Sequence, residues 1–151
     1  MMKTLILGLG NELLCDEGVG VHVVRALQKE ELPTDVSAVE VGTAVLDALP
    51  YIEEADRIVV IDAMKAGQAP GTIYRVPFED CERPRCIGSM HGFDLSRVFF
   101  LAGKGSGTEA VVVGAEPSRI DWGTELSAEI QAMVPAMVEV VRQEISNREQ
   151  M

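Results

Sequence analysis

The stretch ILGLGNELLCDEGVG, residues 6–20, decides the fold because it reads as a buried strand, a glycine-rich turn and the start of a helix. Such a turn usually offers backbone N–H groups to a phosphate. This one also contains two adjacent acids, Asp16 and Glu17, which would repel a phosphate. The dinucleotide fingerprint G-x-G-x-x-G is incomplete as well, since GLGNEL ends in Leu13. The turn therefore indicates a cation site.

Apolar runs of strand length alternate with segments of helical periodicity along the chain. The predicted strands are residues 3–11, 35–42, 57–64, 71–77 and 109–117, and the predicted helices are residues 17–32, 43–55, 94–103 and a long C-terminal helix capped by Ser127. The connection before the fourth strand is too short for a helical crossover, so this strand is expected to be antiparallel and at an edge. The pattern predicts an α/β fold with a twisted, mostly parallel sheet and helices on both faces.

Composition narrows the classes of function. At 151 residues the chain is most simply one α/β domain over 1–151. It has 13 Lys and Arg against 24 Asp and Glu, and this net charge of −11 argues against nucleic acid and an anionic membrane surface as partners. No stretch approaches the roughly 20 apolar residues of a membrane span. With no signal peptide and three cysteines, the chain is expected to be cytoplasmic and reduced.

Three candidate ligands follow the predicted strands or precede a predicted helix. Ligands bind outside the carboxyl ends of the strands in such sheets. Glu17 follows the first strand, Asp62 ends the third, and His91 precedes the third helix. Two carboxylates and one imidazole suit a borderline divalent ion such as Ni²⁺, Zn²⁺ or Fe²⁺. Three protein ligands would leave coordination positions open.

Each acid or histidine also has an ordinary structural interpretation. Asp16 is a favoured residue type for the N-cap of the first helix, and Glu17 would then benefit from the helix dipole. Asp62 could anchor the following turn. His91 alone is more typical of a surface or hydrogen-bonded histidine. Only the three together favour a metal site.

Other polar residues give weaker signals. We expect Asn11 to shape the turn and His22 to be structural. Cys81 and Cys86 have a C-x₄-C spacing without a second pair, which is poor evidence for zinc. Cys15 could pair with His91 as a nucleophile, but the neighbouring carboxylates should raise a thiol pKa, which opposes activation. No G-x-S-x-G motif is present.

Several motifs together resemble the nickel–iron hydrogenase maturation endopeptidases. The main ones are GLGNELLCDEGVGVHVVRAL at residues 8–27, IDA at 61–63 and SMH at 89–91. The supporting matches are Gly42-Thr43, PGT at residues 70–72 and GAEP at residues 114–117. The resemblance extends over nearly the whole chain, but FEDCERPRCIG at 78–88 has no match in the family.

The resemblance implies a three-layer α/β/α sandwich around a five-stranded sheet. It also implies an endopeptidase that removes the C-terminal extension of a hydrogenase large-subunit precursor after nickel insertion. The family's nickel-recognising positions match Glu17, Asp62 and His91, which we take as both the metal-binding and the catalytic residues. Nickel would arrive with the precursor, and no resident organic cofactor is expected. We expect a monomer, since the cleft must admit a folded partner.

Three alternatives can be distinguished from this hypothesis. Peptidyl-tRNA hydrolases share GLGN, but their Pro-Gly and Thr-Arg-His-Asn stretches are absent here, and the acidic charge is wrong for tRNA. A non-catalytic chaperone would bind a nickel-loaded peptide and release it intact. A nickel carrier would retain the metal after desalting.

Overall fold

The computed structural model describes residues 2–81, 91–104 and 108–149. Within these ranges the strands are β1 (Thr4–Leu9), β2 (Val36–Gly42), β3 (Arg57–Ala63), β4 (Ile73–Pro77) and β5 (Glu109–Ala115). The α-helices are α1 (Val19–Gln28), α2 (Leu49–Glu54), α3 (Gly92–Leu101) and α4 (Ala128–Glu149). Short 3-10 turns occupy Cys15–Gly18, Val45–Ala48 and Phe78–Cys81.

The five strands form one sheet in the order β2-β1-β3-β5-β4. The first three pairings are parallel, and β4 pairs antiparallel with β5 at the edge of the sheet. Both the mostly parallel sheet and the antiparallel edge strand were predicted. The carboxyl ends of β1, β3 and β5 therefore lie along the same edge of the sheet.

The two faces of the sheet bury separate apolar clusters. Ile6, Val59 and Ile61 pack on one face with residues of α1 and α4. Leu7 and Val60 pack on the opposite face with residues of α2 and α3. This alternation along β1 and β3 is what buried strands require, and it confirms the three-layer α/β/α sandwich.

Two glycines of the opening motif allow the acidic turn and α1 to approach the sheet closely. A Cβ at Gly20 would lie 2.1 Å from the carbonyl oxygen of Ile61 in β3. A Cβ at Gly10, whose φ is +118°, would lie 2.0 Å from the carbonyl oxygen of Glu17. The glycines therefore serve backbone packing around Glu17.

Three helices differ in their bounds from the sequence prediction. The helix predicted at residues 94–103 is α3, Gly92–Leu101. The helix α1 ends at Gln28, before the predicted end, because the N–H groups of Lys29 and Glu30 bond three residues back instead of four. The predicted helix over 43–55 is divided into a 3-10 turn and α2, with Pro50 in the first turn of α2. No helix in the described parts of the chain is long and apolar enough to cross a membrane.

Candidate functional site

His91 lies between two carboxylates. Its Nδ1 is 3.0 Å from Oδ1 of Asp62, and its Nε2 is 3.2 Å from Oε1 of Glu17. Glu17 belongs to the 3-10 turn after β1, Asp62 to the end of β3, and His91 directly precedes α3. The structure thus brings together the three side chains that the sequence singled out.

The site is closed on the Asp62 side and slightly open on the other. Asp62 is fully buried, whereas the side chains of Glu17 and His91 are 12% and 13% exposed. Solvent, or a bound partner, therefore reaches the site past Glu17 and His91.

Asp62 fixes both the backbone and the ring of His91. Its Oδ2 accepts the backbone N–H of His91 at 2.9 Å, and its Oδ1 accepts the N–H of Ala63 at 2.9 Å. The bond to Ala63 lies within the last two residues of β3, so it does not itself anchor the following turn as the sequence alternative proposed. The contact with Nδ1 of His91 leaves the opposite ring nitrogen directed at Glu17. Such a carboxylate contact is a common way to orient a histidine.

The electrostatics of His91 favour its charged form. Burial lowers its pKa, but the hydrogen bond and negative charge of Asp62, followed by those of Glu17, outweigh burial and raise the pKa above its usual value. The two carboxylates thus favour a positive charge on the imidazole between them. Within residues 2–81, 91–104 and 108–149, no three His, Cys, Asp or Glu side chains are arranged to hold a metal together, because the imidazole itself engages both carboxylates.

Asp16 does not cap α1, so this part of the sequence interpretation was wrong. The N-cap of α1 is Gly18, without a side-chain cap. The buried Asp16 carboxylate instead accepts the N–H groups of Ser118, Arg119 and Ser127 at 2.7–2.9 Å. It thereby joins the acidic turn to the segment between β5 and α4. These donors lie more than 100 residues further along the chain, so no local sequence signal could have identified them.

The remaining polar residues behave more simply. Asn11 shapes the turn as predicted, since its Oδ1 accepts the N–H of Leu13 at 3.0 Å. His22 lies in α1, where its buried Nε2 has no hydrogen-bond partner in the described structure, and burial lowers its pKa. Cys15 is buried with a φ of +52°. Cys86 lies outside the described residues, so the interpretation of the Cys81–Cys86 spacing stays a prediction.

Glu116 is a further residue whose role the sequence did not reveal. Its Oε1 accepts the N–H groups of Ala66 and Gln68 and the hydroxyl of Tyr74 at 2.8–3.1 Å. Glu116 directly follows β5, and the GAEP motif around it was noticed only as a family match. It holds the loop that follows β3.

Comparisons with known proteins agree with this geometry. Residues 21–144 match the family model described as hydrogenase maturation protease. The hydrogenase expression/formation protein HupD of Rhizobium leguminosarum is 36% identical over 145 residues, which are 91% of this chain and 71% of HupD.

Solved structures extend the similarity to the fold. The hydrogenase maturating endopeptidase HybD from E. coli superimposes with a TM-score of 0.84 at 28% identity, covering 97% of this chain and 94% of HybD. The [NiFe] hydrogenase maturation protease HybD from Thermococcus kodakarensis gives 0.77 at 32% identity, covering 94% of this chain and 98% of that protein.

Proposed function

The chain belongs to the hydrogenase maturation protease family and is a peptidase, and from this premise we propose that it removes the C-terminal extension of a nickel–iron hydrogenase large-subunit precursor. The observation that carries the proposal is the contact of His91 with both Glu17 and Asp62 at the edge of the sheet. In this proposal the precursor is cleaved only after its nickel has been inserted.

The spacing of Glu17 and His91 supports a role in nickel recognition. Two ligands that are each about 2.1 Å from one ion are about 3 Å apart when they meet at a right angle. Oε1 of Glu17 and Nε2 of His91 are 3.2 Å apart, so both atoms could bind one ion with little movement. Asp62 adds its negative charge and orients the ring through Nδ1. Direct ligation of nickel by Asp62 stays a prediction.

The same arrangement explains how an unloaded precursor would be rejected. The precursor's own cysteines would hold the nickel, and Glu17 and His91 would complete its coordination beside the negative charge of Asp62. A nickel-free precursor would bring no metal ion for Glu17 and His91 to bind, so it would be held weakly at this site. When bound, nickel would supply a positive charge that can polarise the scissile carbonyl or a water molecule.

Two further properties belong to the proposal. The protein would act as a monomer, because the edge of the sheet must stay accessible to a folded client. The reaction would take place in the cytoplasm, where its three cysteines would remain reduced.

The test compares nickel-loaded and nickel-free precursor under identical conditions. Mass spectrometry should detect loss of the C-terminal extension from the loaded precursor and little or none from the unloaded one. Equal cleavage of both forms would remove nickel from the recognition step. A loaded precursor that is bound but stays intact would indicate a chaperone, and metal that remains on the protease after desalting would indicate a nickel carrier.

A further inference from the structure

A cleft of about 330 Å³ lies beside the acidic turn. It is lined by Cys15, Arg119 and residues 122–127. We propose that this cleft, with its exposed Trp122 and with Leu13 on the backbone segment bonded to Gly123, binds an apolar side chain of the precursor, in a basic segment close to the scissile bond. We call this surface the Trp122 cleft. The inference rests on the proposed function and specifies how the client docks.

Backbone hydrogen bonds give the cleft a defined shape. The N–H of Gly123 donates to the carbonyl of Leu13, and the N–H of Cys15 donates to the carbonyl of Gly123, both at 2.9 Å. The N–H of Asp16 donates to the carbonyl of Arg119 at 3.0 Å. A surface that is already ordered loses less conformational entropy when a partner binds.

Two apolar side chains of these backbone segments are exposed. Trp122 is 77% exposed and Leu13 is 52% exposed, and Gly123 directly joins the two backbone segments. A single exposed apolar residue is ordinary, but neighbouring ones beside a cavity mark a binding surface. Tryptophan is also among the residues that contribute most to protein interfaces. The volume lies at the lower end of the ~300–1,000 Å³ range of ligand pockets, so it suits one or two side chains.

Continuity with the site identifies the occupant. Cys15 lines the cleft and belongs to the same 3-10 turn as Glu17. The lining of the cleft therefore begins two residues before Glu17, so a client segment held at Glu17 lies next to it in the turn. Asp121 and Glu125 are exposed acids here, and Arg119 is already near Asp121 at 3.6 Å. Together with the net charge of −11, this favours a basic client segment.

Trp122 offers a direct probe because it is the single tryptophan of the chain. A protein labelled with 5-fluorotryptophan should give one ¹⁹F resonance. Addition of unlabelled nickel-loaded precursor should shift this resonance, and the shift should reverse as cleavage products are released. Cleavage is followed by mass spectrometry in the same sample, so binding at Trp122 and proteolysis are measured separately.

Kinetics provide the second arm of the experiment. Trp122→Ala should raise the KM for loaded precursor roughly tenfold with kcat nearly unchanged, because the contact contributes binding before the reaction. Leu13→Ala should raise KM by a smaller factor. The matched control is Phe100→Ala, since Phe100 is 81% exposed but lies near the end of α3 that is remote from His91. Its KM should equal that of the wild type.

The outcomes separate this inference from the proposed function. Cleavage of the precursor with an unmoved ¹⁹F resonance and wild-type KM values in the Trp122 and Leu13 variants would overturn the docking site alone. A shifted resonance without cleavage would support docking and contradict the proposed proteolysis. Absence of both would overturn both. A resonance that moves with the concentration of the protease itself would show a second copy in the cleft and overturn the assignment to the precursor.

Discussion

The carboxylate of Asp16 accepts the backbone N–H of Ser127 at 2.7 Å and its hydroxyl at 2.8 Å, across a separation of 111 residues. Ser127 directly precedes α4, and its own Oγ accepts the N–H of Ile130 at 3.4 Å. The acidic turn that contains Glu17 is therefore joined to the first turn of the last helix. Asp16 lies beside the site without belonging to its ligand set, and its role is to hold the turn.

Replacing Asp16 with Asn should destabilise the protein and slow cleavage. Both oxygens of this carboxylate accept hydrogen bonds. In the Asn variant the NH₂ group would replace one of them and would face a backbone N–H donor in a buried site. The expected loss is about 2 kcal/mol in the free energy of unfolding, together with a lower kcat/KM because Glu17 is less well held. Urea denaturation and the precursor assay measure the two effects. Asp47→Asn, at an exposed position, is the control, and equal stability of both variants would contradict this role.

The sequence predicted the sheet and the meeting of Glu17 and Asp62 for a general reason, whereas His91 was assigned to the same edge because it precedes a predicted helix. Parallel strands end at one edge, so residues after β1 and β3 must be neighbours, whatever separates them in the chain. The partners of Asp16 could not be predicted in this way. A capping preference is a local property, whereas the donors to Asp16 come from a segment that tertiary folding brings to the turn. The bonds to Glu116 also depend on tertiary folding.

Asp62→Asn should nearly abolish cleavage of nickel-loaded precursor. The amide lacks the negative charge. It also has only one oxygen, so it can no longer accept hydrogen bonds from both the backbone N–H and Nδ1 of His91 in the way that the carboxylate does. Loss of such an orienting carboxylate commonly costs 10–100-fold, and the lost charge near nickel should add to this. We expect at least a roughly 100-fold drop in kcat/KM with a folded protein by circular dichroism. Full activity in a folded variant would remove Asp62 from the mechanism.

Gly10→Ala should cost far more than the same change at Gly103. Both glycines have positive φ, +118° and +72°, so each alanine carries a backbone penalty of about 1–2 kcal/mol. At Gly10 the new Cβ also meets backbone, at 2.0 Å from the carbonyl oxygen of Glu17, whereas a Cβ at Gly103 would have no non-neighbouring heavy atom of the described residues within 4 Å. The additional clash should cost about 1–3 kcal/mol and displace Glu17. Denaturation and cleavage assays on the pair check this, and similar values for both variants would count against close packing at Gly10.

Arg57→Ala should lower the free energy of unfolding without changing kcat. Arg57 is buried at the start of β3, at the opposite end of the strand from Asp62, and its guanidinium pairs with Glu144 at 2.7 Å and Glu109 at 2.8 Å. Removal leaves the buried Glu144 carboxylate paired with the partly exposed Arg75 at 3.3 Å, so the cost should lie near the lower end of the range of about 3–5 kcal/mol for a broken buried pair. Arg25→Ala, which breaks pairs of an arginine that is 43% exposed, should cost less than about 1 kcal/mol. Equal decreases in the denaturant midpoint for Arg57→Ala and Arg25→Ala would contradict this prediction. A changed kcat for the folded Arg57→Ala protein would contradict it as well.

Glu116 should make stability depend on pH in the acid range. Burial raises the pKa of this carboxyl, but hydrogen bonds from the Ala66 N–H, the Tyr74 hydroxyl and the Gln68 N–H outweigh it and hold the pKa below its usual value of 4.5. A group whose folded pKa is depressed stabilises the protein above the unfolded pKa. This contribution is lost as pH falls through the folded value.

The check for Glu116 is the free energy of unfolding, measured from neutral pH to below 4.5 in the wild type and in Glu116→Gln. The variant should be less stable at neutral pH, and its stability should fall less steeply on acidification because it has one fewer carboxylate to protonate. Tyr74→Phe removes only one of the donors, so its pH dependence should lie between the other two. Parallel curves for wild type and Glu116→Gln would mean that these hydrogen bonds do not depress the pKa of Glu116.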